Sequence, residues 1–183
     1  MVGIHRPTVY SGNVMASTLT SRVRTGTGRL RIDIRIGKSA MNAVQILRNP
    51  DPKYINLLQL MLDNEQRQRM LANEPDLGIT ELAYRGDAEY FVAVEHDTPL
   101  GIATVTQWFD GSVELYKLYV APTSRIHGIG MQLVNHAISV FTSRNIKEFL
   151  IEIVGDSAVF WQRVATGRQI KEYGDGKYGI SIA

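Results

Sequence analysis

The stretch Glu114–Gly130, ELYKLYVAPTSRIHGIG, decides how this chain folds, because it passes from a strand through a loop into the start of a helix. Its last part, Arg125–Gly130, has the form R-x-x-G-x-G and opens an apolar stripe at helical spacing. Glycines let a backbone approach a ligand closely, and the first turn of a helix offers unpaired N–H groups and the positive end of the helix dipole. The sequence therefore predicts an anion site here, of a kind that suits a pyrophosphate.

The residues on either side of this stretch predict an antiparallel meander followed by a helix. Strands are predicted at Tyr90–Glu95, Gly101–Trp108 and Ser112–Val120, joined by a polar turn at 96–99 and by Asp110-Gly111, a strong hairpin signal. The helix after the glycines is marked by apolar residues at helical spacing, namely Met131, Leu133, Val134, Ala137, Ile138 and Phe141.

Further elements complete a mixed α/β domain that we place at residues 30–183. Alternating Leu30, Ile32, Ile34 and Ile36 predict a first strand that ends at Gly37. A helix is predicted to start within Asn49-Pro50-Asp51-Pro52 and to reach Asn73. The remaining predicted elements are a strand at Phe149–Val154, a helix at Ser157–Ala165 and a hairpin of Gln169–Tyr173 with Tyr178–Ile182.

Residues 1–29 differ from the rest and are interpreted as a basic arm rich in Ser, Thr and Gly. No acidic residue occurs before Asp33. This composition is typical of a mitochondrial transit peptide, but Pro7, Gly12 and Gly26 would break the amphipathic helix that such a peptide needs. A packed arm, or one held by a partner subunit, is the preferred interpretation.

Composition excludes several classes of function. The chain has 183 residues and no cysteine, so thiol nucleophiles and cysteine-based zinc sites are excluded, and its four histidines are too scattered for a helical metal motif. A net charge of +2 is far below the dense basic footprint of a dedicated nucleic-acid binder. No apolar run approaches the roughly 18 residues of a membrane span. We expect a cytoplasmic protein with no metal and no membrane or nucleic-acid partner.

The strand, loop and helix around R-x-x-G-x-G, together with the predicted element order, resemble the GNAT superfamily of acyl-CoA N-acyltransferases over about residues 30–183. The resemblance implies an α/β fold in which a mostly antiparallel sheet splays apart after its fourth strand, with helices on both faces. It also implies transfer of acetyl from acetyl-CoA to a primary amine, with acetyl-CoA as co-substrate.

The resemblance assigns the coenzyme A site to two adjacent segments. The main chain of Leu118 and Val120, with Tyr119 between them, would bind the pantetheine arm as an added strand. Arg125 would lie beside the pyrophosphate, which would be held by backbone N–H groups of the loop residues Ile126, His127, Gly128, Ile129 and Gly130.

Two groups on the same strand are implied in catalysis. Glu114 lies eleven residues before Arg125, the offset of the general base in the protein-acetylating branch of the family, and the N–H of Leu118 would stabilise the oxyanion. Strand alternation places Glu114 on the same face as Leu118 and Val120 unless a bulge intervenes.

One departure from the family bears on activity. Trp161 stands where many members have the tyrosine that protonates the departing thiolate, and an indole N–H is no general acid. Ser157, Tyr173, Tyr178 or water are the alternative donors. The second interpretation is a non-catalytic GNAT-fold assembly protein whose basic arm docks on a partner.

The acceptor substrate stays open among a protein or peptide amine, an aminoglycoside-like molecule and a polyamine. The chain could also form a homodimer through an edge strand of its sheet.

Overall fold

The structure, a computed structural model, describes residues 44–84 and 86–182. Its seven strands are β1 Gln45–Arg48, β2 Ala88–Glu95, β3 Thr98–Gln107, β4 Val113–Val120, β5 Glu148–Glu152, β6 Ile170–Gly174 and β7 Lys177–Ser181. Its three α-helices are α1 Pro52–Leu71, α2 Ile129–Thr142 and α3 Ala158–Ala165. The predicted strand at Leu30–Gly37 and the basic arm of residues 1–29 lie outside the described residues.

The strands form one open sheet in the order β1-β2-β3-β4-β5-β7-β6. Every neighbouring pair is antiparallel except β4 and β5, which run parallel and share a single registered pair, Glu114 with Leu150. Beyond that pair the two strands separate, so that the second half of β4 lacks a partner on its β5 side. The predicted mixed α/β fold, with a mostly antiparallel sheet that splays after its fourth strand, is confirmed.

Helices cover both faces of the sheet, as predicted. On one face, Leu58 and Leu62 of α1 pack with Val92 and Ile102. On the other face, the largest apolar cluster joins α2 and α3 to the sheet and includes Phe91, Ala103, Leu133, Phe141, Trp161 and Val164. Burial of each such large side chain contributes about 1.5–3 kcal/mol, so these two clusters fix the helices on the sheet.

The start of α1 follows from its sequence. Asp51 is the N-cap, its carboxylate accepts a hydrogen bond from the Lys53 N–H at 2.9 Å, and Pro52 occupies the first turn, where a missing N–H does no harm.

Strand β1 was not predicted, because its four residues QILR are too few to show alternation. Within the described residues, no helix is both long and apolar enough to cross a membrane.

Candidate active site

The open side of β4 presents main-chain groups to the gap between β4 and β5. The Ala121 N–H donates to the Leu100 carbonyl of the β3 side at 2.9 Å. In a strand, the N–H and C=O of one residue point to the same side, and those of the next residue point to the other side. The main-chain groups of Leu118 and Val120 therefore point away from β3. The Val120 carbonyl accepts a hydrogen bond from Arg125 Nε at 3.0 Å. The Val120 N–H and both groups of Leu118 therefore face the gap.

The loop before α2 has the shape of an anion cradle. Gly128 is the N-cap of α2 at φ 78°, a left-handed conformation that favours glycine, and no side chain caps the helix. A Cβ at Gly128 would have no atom within 4 Å, whereas one at Gly130 would lie 3.3 Å from the Phe160 ring. The first N–H groups of α2 thus point toward open space at the helix's positive end.

Two other loop residues are exposed, and one of them is strained. His127 lies on the surface, and Ile126 is fully exposed with φ 60°. A β-branched side chain in the left-handed region is a genuine outlier, and such strain concentrates at ligand-binding loops.

Arg125 is engaged within the protein. Its Nη2 donates to Glu65 Oε2 of α1 at 2.7 Å, and the Tyr119 hydroxyl donates to the same oxygen at 3.2 Å. Burial, together with the Glu65 carboxylate, raises the pKa of Tyr119 well above its usual value, so the phenol keeps its proton. No local sequence pattern marks Glu65, because its contact with Arg125 joins residues 60 positions apart.

Glu114 is a buried carboxylate at the point where β4 and β5 part. Only 6% of the residue is exposed. Its Oε2 accepts a hydrogen bond from Trp108 Nε1 at 3.0 Å, and its Oε1 lies 3.8 Å from Lys177 Nζ of β7. Glu114 is thus a buried carboxylate with a hydrogen-bond donor on one oxygen and a lysine near the other.

A β-bulge places Glu114 on the opposite face from Leu118 and Val120, so the shared face expected from strict alternation is wrong. Thr104 is registered with Lys117 and Val105 with Leu115, which makes Tyr116 the extra residue. The odd-numbered residues before the bulge, Val113 and Leu115, and the even-numbered ones after it, Leu118 and Val120, all pack on the α2 side. Glu114 therefore projects to the α1 side, the side on which Tyr119 is buried.

Polar and aromatic side chains surround Glu114 on that face. Thr106 is registered opposite Glu114, and its buried hydroxyl has no hydrogen-bond partner among the described residues. The Tyr84 ring meets Tyr116 and Trp108 edge to face, at centroid distances of 4.9 and 6.5 Å.

Trp108 could have been found from the sequence, because the Asp110-Gly111 turn brings it beside Glu114. Lys177 could not, because it depends on the strand order β4-β5-β7.

The alternative proton donors are differently placed. Trp161 is 6% exposed within the apolar cluster, where it packs as a core aromatic. Ser157 Oγ donates to the Val154 carbonyl at 2.6 Å, and the Tyr173 hydroxyl donates to Glu148 Oε2 at 2.6 Å. Tyr178 is half-buried against the apolar cluster. None of these contacts brings a hydroxyl to Glu114.

No group of three or more metal-ligating side chains occurs in the part of the chain that the structure describes. The candidate site combines a glycine loop at a helix N-terminus, an open strand edge and a buried carboxylate. A mostly antiparallel sheet that splays open after its fourth strand, beside such a loop, is the arrangement expected for the GNAT class of α/β proteins.

Comparison with known proteins agrees with this class. The acetyltransferase (GNAT) family matches residues 40–159, and the chain belongs to that family. No curated protein sequence matches the chain significantly.

Several crystal structures share the fold. An acetyltransferase of the GNAT family from Staphylococcus aureus Mu50 is 18% identical, with a TM-score of 0.57 over 77% of this chain and 100% of that one. PaiA N-acetyltransferase of Thermoplasma acidophilum, in complex with coenzyme A, is 13% identical, with a TM-score of 0.52 over 76% of this chain and 98% of that one. IAA acetyltransferase of Bacillus cereus is 19% identical, with a TM-score of 0.50 over 76% and 97%.

Proposed function

We propose that this protein is an N-acetyltransferase that moves acetyl from acetyl-CoA to a primary amine by direct attack. The observation that carries the proposal is the position of Glu114, a buried carboxylate at the one registered contact between β4 and β5. The gap that opens from that contact leads along the free edge of β4 to the loop before α2. A thioester bound along this edge would bring its carbonyl close to the carboxylate.

The coenzyme A part of the substrate would be held mainly by the main chain. The pyrophosphate would accept hydrogen bonds from N–H groups of residues 126–130, and the open space around Gly128 leaves room for it. The pantetheine amides would pair with Leu118 and with the Val120 N–H, since the Val120 carbonyl already accepts from Arg125. Tyr119 lies between them with its ring buried on the α1 face, so it would support the strand and would not contact the ligand.

Chemistry at the amine requires the removal of one proton. Glu114 would take this proton, directly or through water, while the amine nitrogen forms a bond to the thioester carbon. The N–H of Leu118 would donate to the carbonyl oxygen as negative charge develops there. The C–S bond then breaks, and coenzyme A leaves as its thiolate.

The leaving thiolate does not need a dedicated acid. A thiol has an ordinary pKa of about 8.5, so its thiolate leaves tolerably well and can take a proton from water. This agrees with the burial of Trp161, which occupies the acid's position in the sequence. The absence of a tyrosine at position 161 would suit the second candidate, a non-catalytic assembly protein, whereas the R-x-x-G-x-G loop favours the enzyme.

The acceptor amine would approach on the α1 face, where Glu114 projects. Aromatic edges of Tyr84, Trp108 and Tyr116 lie beside the carboxylate there. A protein or peptide amine, an aminoglycoside-like molecule and a polyamine are all compatible with these surroundings.

We further propose that the acetyltransferase domain begins near residue 30 and that residues 1–29 serve as a docking arm in a cytoplasmic protein.

Isothermal titration with acetyl-CoA and with coenzyme A tests the cofactor site. Gly128→Glu adds a carboxylate to the cradle and is expected to weaken binding by about tenfold or more through charge repulsion. Gly167→Glu is the matched control, because Gly167 has the same φ of 78° and equally open surroundings in the turn after α3. A folded protein that binds neither ligand would overturn the enzyme assignment.

The amine chemistry needs a second assay. Release of coenzyme A thiol in the presence of a panel of amines should fall by about 10²-fold or more in Glu114→Gln, the usual contribution of a general base. The glutamine keeps an oxygen that can accept from Trp108. Equal turnover by the two proteins would exclude Glu114 as the base.

A further inference from the structure

Lys177 of β7 reaches past β5 toward Glu114, the residue at which β4 and β5 part. It is the first residue of β7 and is registered with Glu152 of β5. Because β5 runs parallel to β4 with Leu150 opposite Glu114, Glu152 and Lys177 stand at the level of Tyr116, where the strands have begun to separate. The Lys177 side chain is half exposed, and it turns back toward β4.

The amine of Lys177 lies near Glu114, the carboxylate that we propose as the general base. Nζ is 3.8 Å from Glu114 Oε1, while the other carboxylate oxygen is held by Trp108. This distance is slightly longer than a hydrogen bond, as is common for catalytic contacts before substrate binds. The flexible stem of a lysine allows the short movement that closes it.

Other lysines in the described part lie in different surroundings. Lys117 Nζ lies over the Tyr116 ring and Lys171 Nζ over the Tyr173 ring, each at 4.4 Å from the centroid. Lys53 pairs with the exposed Asp97. Lys177 alone among the described lysines is paired with a buried carboxylate.

We propose that Lys177 is a self-acetylation site, an inference that rests on the proposed acetyltransferase function. Glu114 accepts a proton from the Lys177 ammonium, and the neutral Nζ then attacks the carbonyl carbon of bound acetyl-CoA. The C–N bond forms, the C–S bond breaks, the nitrogen loses its second proton to water, and the coenzyme A thiolate departs. The products are Nζ-acetyl-Lys177 and coenzyme A, and no further reactant is needed.

Acetylation would change the site as well as mark it. The amide carries no charge, so the ion pair with Glu114 is lost and Oε1 becomes available to a second amine. The modification thus removes an internal competitor from the base. A proximity of this kind makes the internal reaction fast relative to the same lysine chemistry in solution.

Incubation of the purified full chain with acetyl-CoA and no added amine tests the inference, with peptide mass mapping over time. Lys177 is expected to gain one acetyl group at least about tenfold faster than Lys171, the internal control for spontaneous acetylation. The first-order rate should not depend on protein concentration. Glu114→Gln should slow labelling of Lys177 by about 10²-fold and leave that of Lys171 unchanged.

The outcomes separate this inference from the proposed function. If titration shows that acetyl-CoA binds but Lys177 is labelled no faster than Lys171, self-acetylation is overturned and the enzyme assignment stands. Labelling whose rate rises with protein concentration also overturns it, since the reaction then occurs between molecules. If acetyl-CoA does not bind to the folded protein, both fail. The variant Lys177→Arg keeps a cation beside Glu114. Its mass map must lack the acetylated peptide that is assigned to Lys177 in the unmodified protein.

Discussion

Arg125 of the loop before α2 is clamped to Glu65 of α1, with Nη2 donating to Oε2 at 2.7 Å and Nε donating to the Val120 carbonyl at 3.0 Å. The guanidinium is therefore fixed, and its charge balanced, without a bound anion. In the proposed coenzyme A site, Arg125 would then mainly hold the loop against the end of β4. The main-chain N–H groups of the loop would be the principal donors to the pyrophosphate.

Removal of the Glu65 carboxylate should loosen this connection. We expect Glu65→Gln to lower the free energy of unfolding by about 1–2 kcal/mol, because a partly buried ion pair loses its anion while Arg125 stays half-exposed. Urea unfolding measures the change. Glu74→Gln, which breaks the exposed pair with Arg69 at 3.4 Å, is the control and should change stability by less than about 0.5 kcal/mol.

The same variant should alter ligand binding. An unbalanced Arg125 cation beside the anion loop is expected to make coenzyme A binding more dependent on salt than in the unmodified protein. Titrations at low and high ionic strength compare the two proteins. An unchanged salt dependence together with unchanged stability would show that the clamp does not form in solution.

The hydroxyl of Thr106 offers a test of the surroundings of Glu114. It is 1% exposed and has no hydrogen-bond partner among the described residues, so Thr106→Val removes an unpaired buried polar atom at nearly constant volume. We expect a stabilisation of about 1 kcal/mol by thermal or urea unfolding. If the hydroxyl instead orders a proton-relaying water, the variant will lose activity and gain no stability.

Most of the fold could be predicted because each element has a local signal. The helix after Asp51, the turn at Asp110-Gly111 and the switch to helical spacing after Gly130 all depend on neighbouring residues. The short strand β1 lacked such a signal. The bulge at Tyr116 lacked one too, because it is a property of the register between β4 and β3.

The sequence predicted only the part of the candidate site that lies within one continuous segment. Glu114 and the loop at residues 125–130 belong to one strand-loop-helix unit, so its sequence was enough to mark them. Lys177 and Glu65 enter the site through strand order and through the packing of α1. No local pattern marks such contacts, and the face on which Glu114 projects was wrongly expected for the same reason.

Stability should depend on pH through Glu89, which joins Arg48 of β1 and Arg144 after α2. Hydrogen bonding from Arg144, and then from Arg48, lowers the pKa of Glu89 below its usual value. A carboxylate whose pKa is lowered by folding stabilises the protein above the unfolded-state pKa of about 4.3, and this contribution is lost as the pH falls through the folded-state pKa.

Glu89→Gln should therefore lower the free energy of unfolding by about 1 kcal/mol at pH 7, a value that allows for the partial exposure of these side chains. The difference between the two proteins should shrink steadily below about pH 4. Urea unfolding across this range measures it. A difference that stays constant with pH would mean that packing, and not ionisation, is responsible.

Ile126 allows the backbone strain in the loop before α2 to be measured as a change in stability. Its side chain is fully exposed at φ 60°, so Ile126→Gly removes little packing and relieves a left-handed conformation that disfavours β-branched residues by about 1–2 kcal/mol. Part of that gain is offset by the greater freedom of glycine in the unfolded chain, and we expect a net stabilisation of about 0.5–1 kcal/mol. Ile126→Ala, which keeps a Cβ at the same φ, should give a smaller gain. If unfolding measurements show Ile126→Gly to be destabilised, the isoleucine makes contacts in solution that hold the loop.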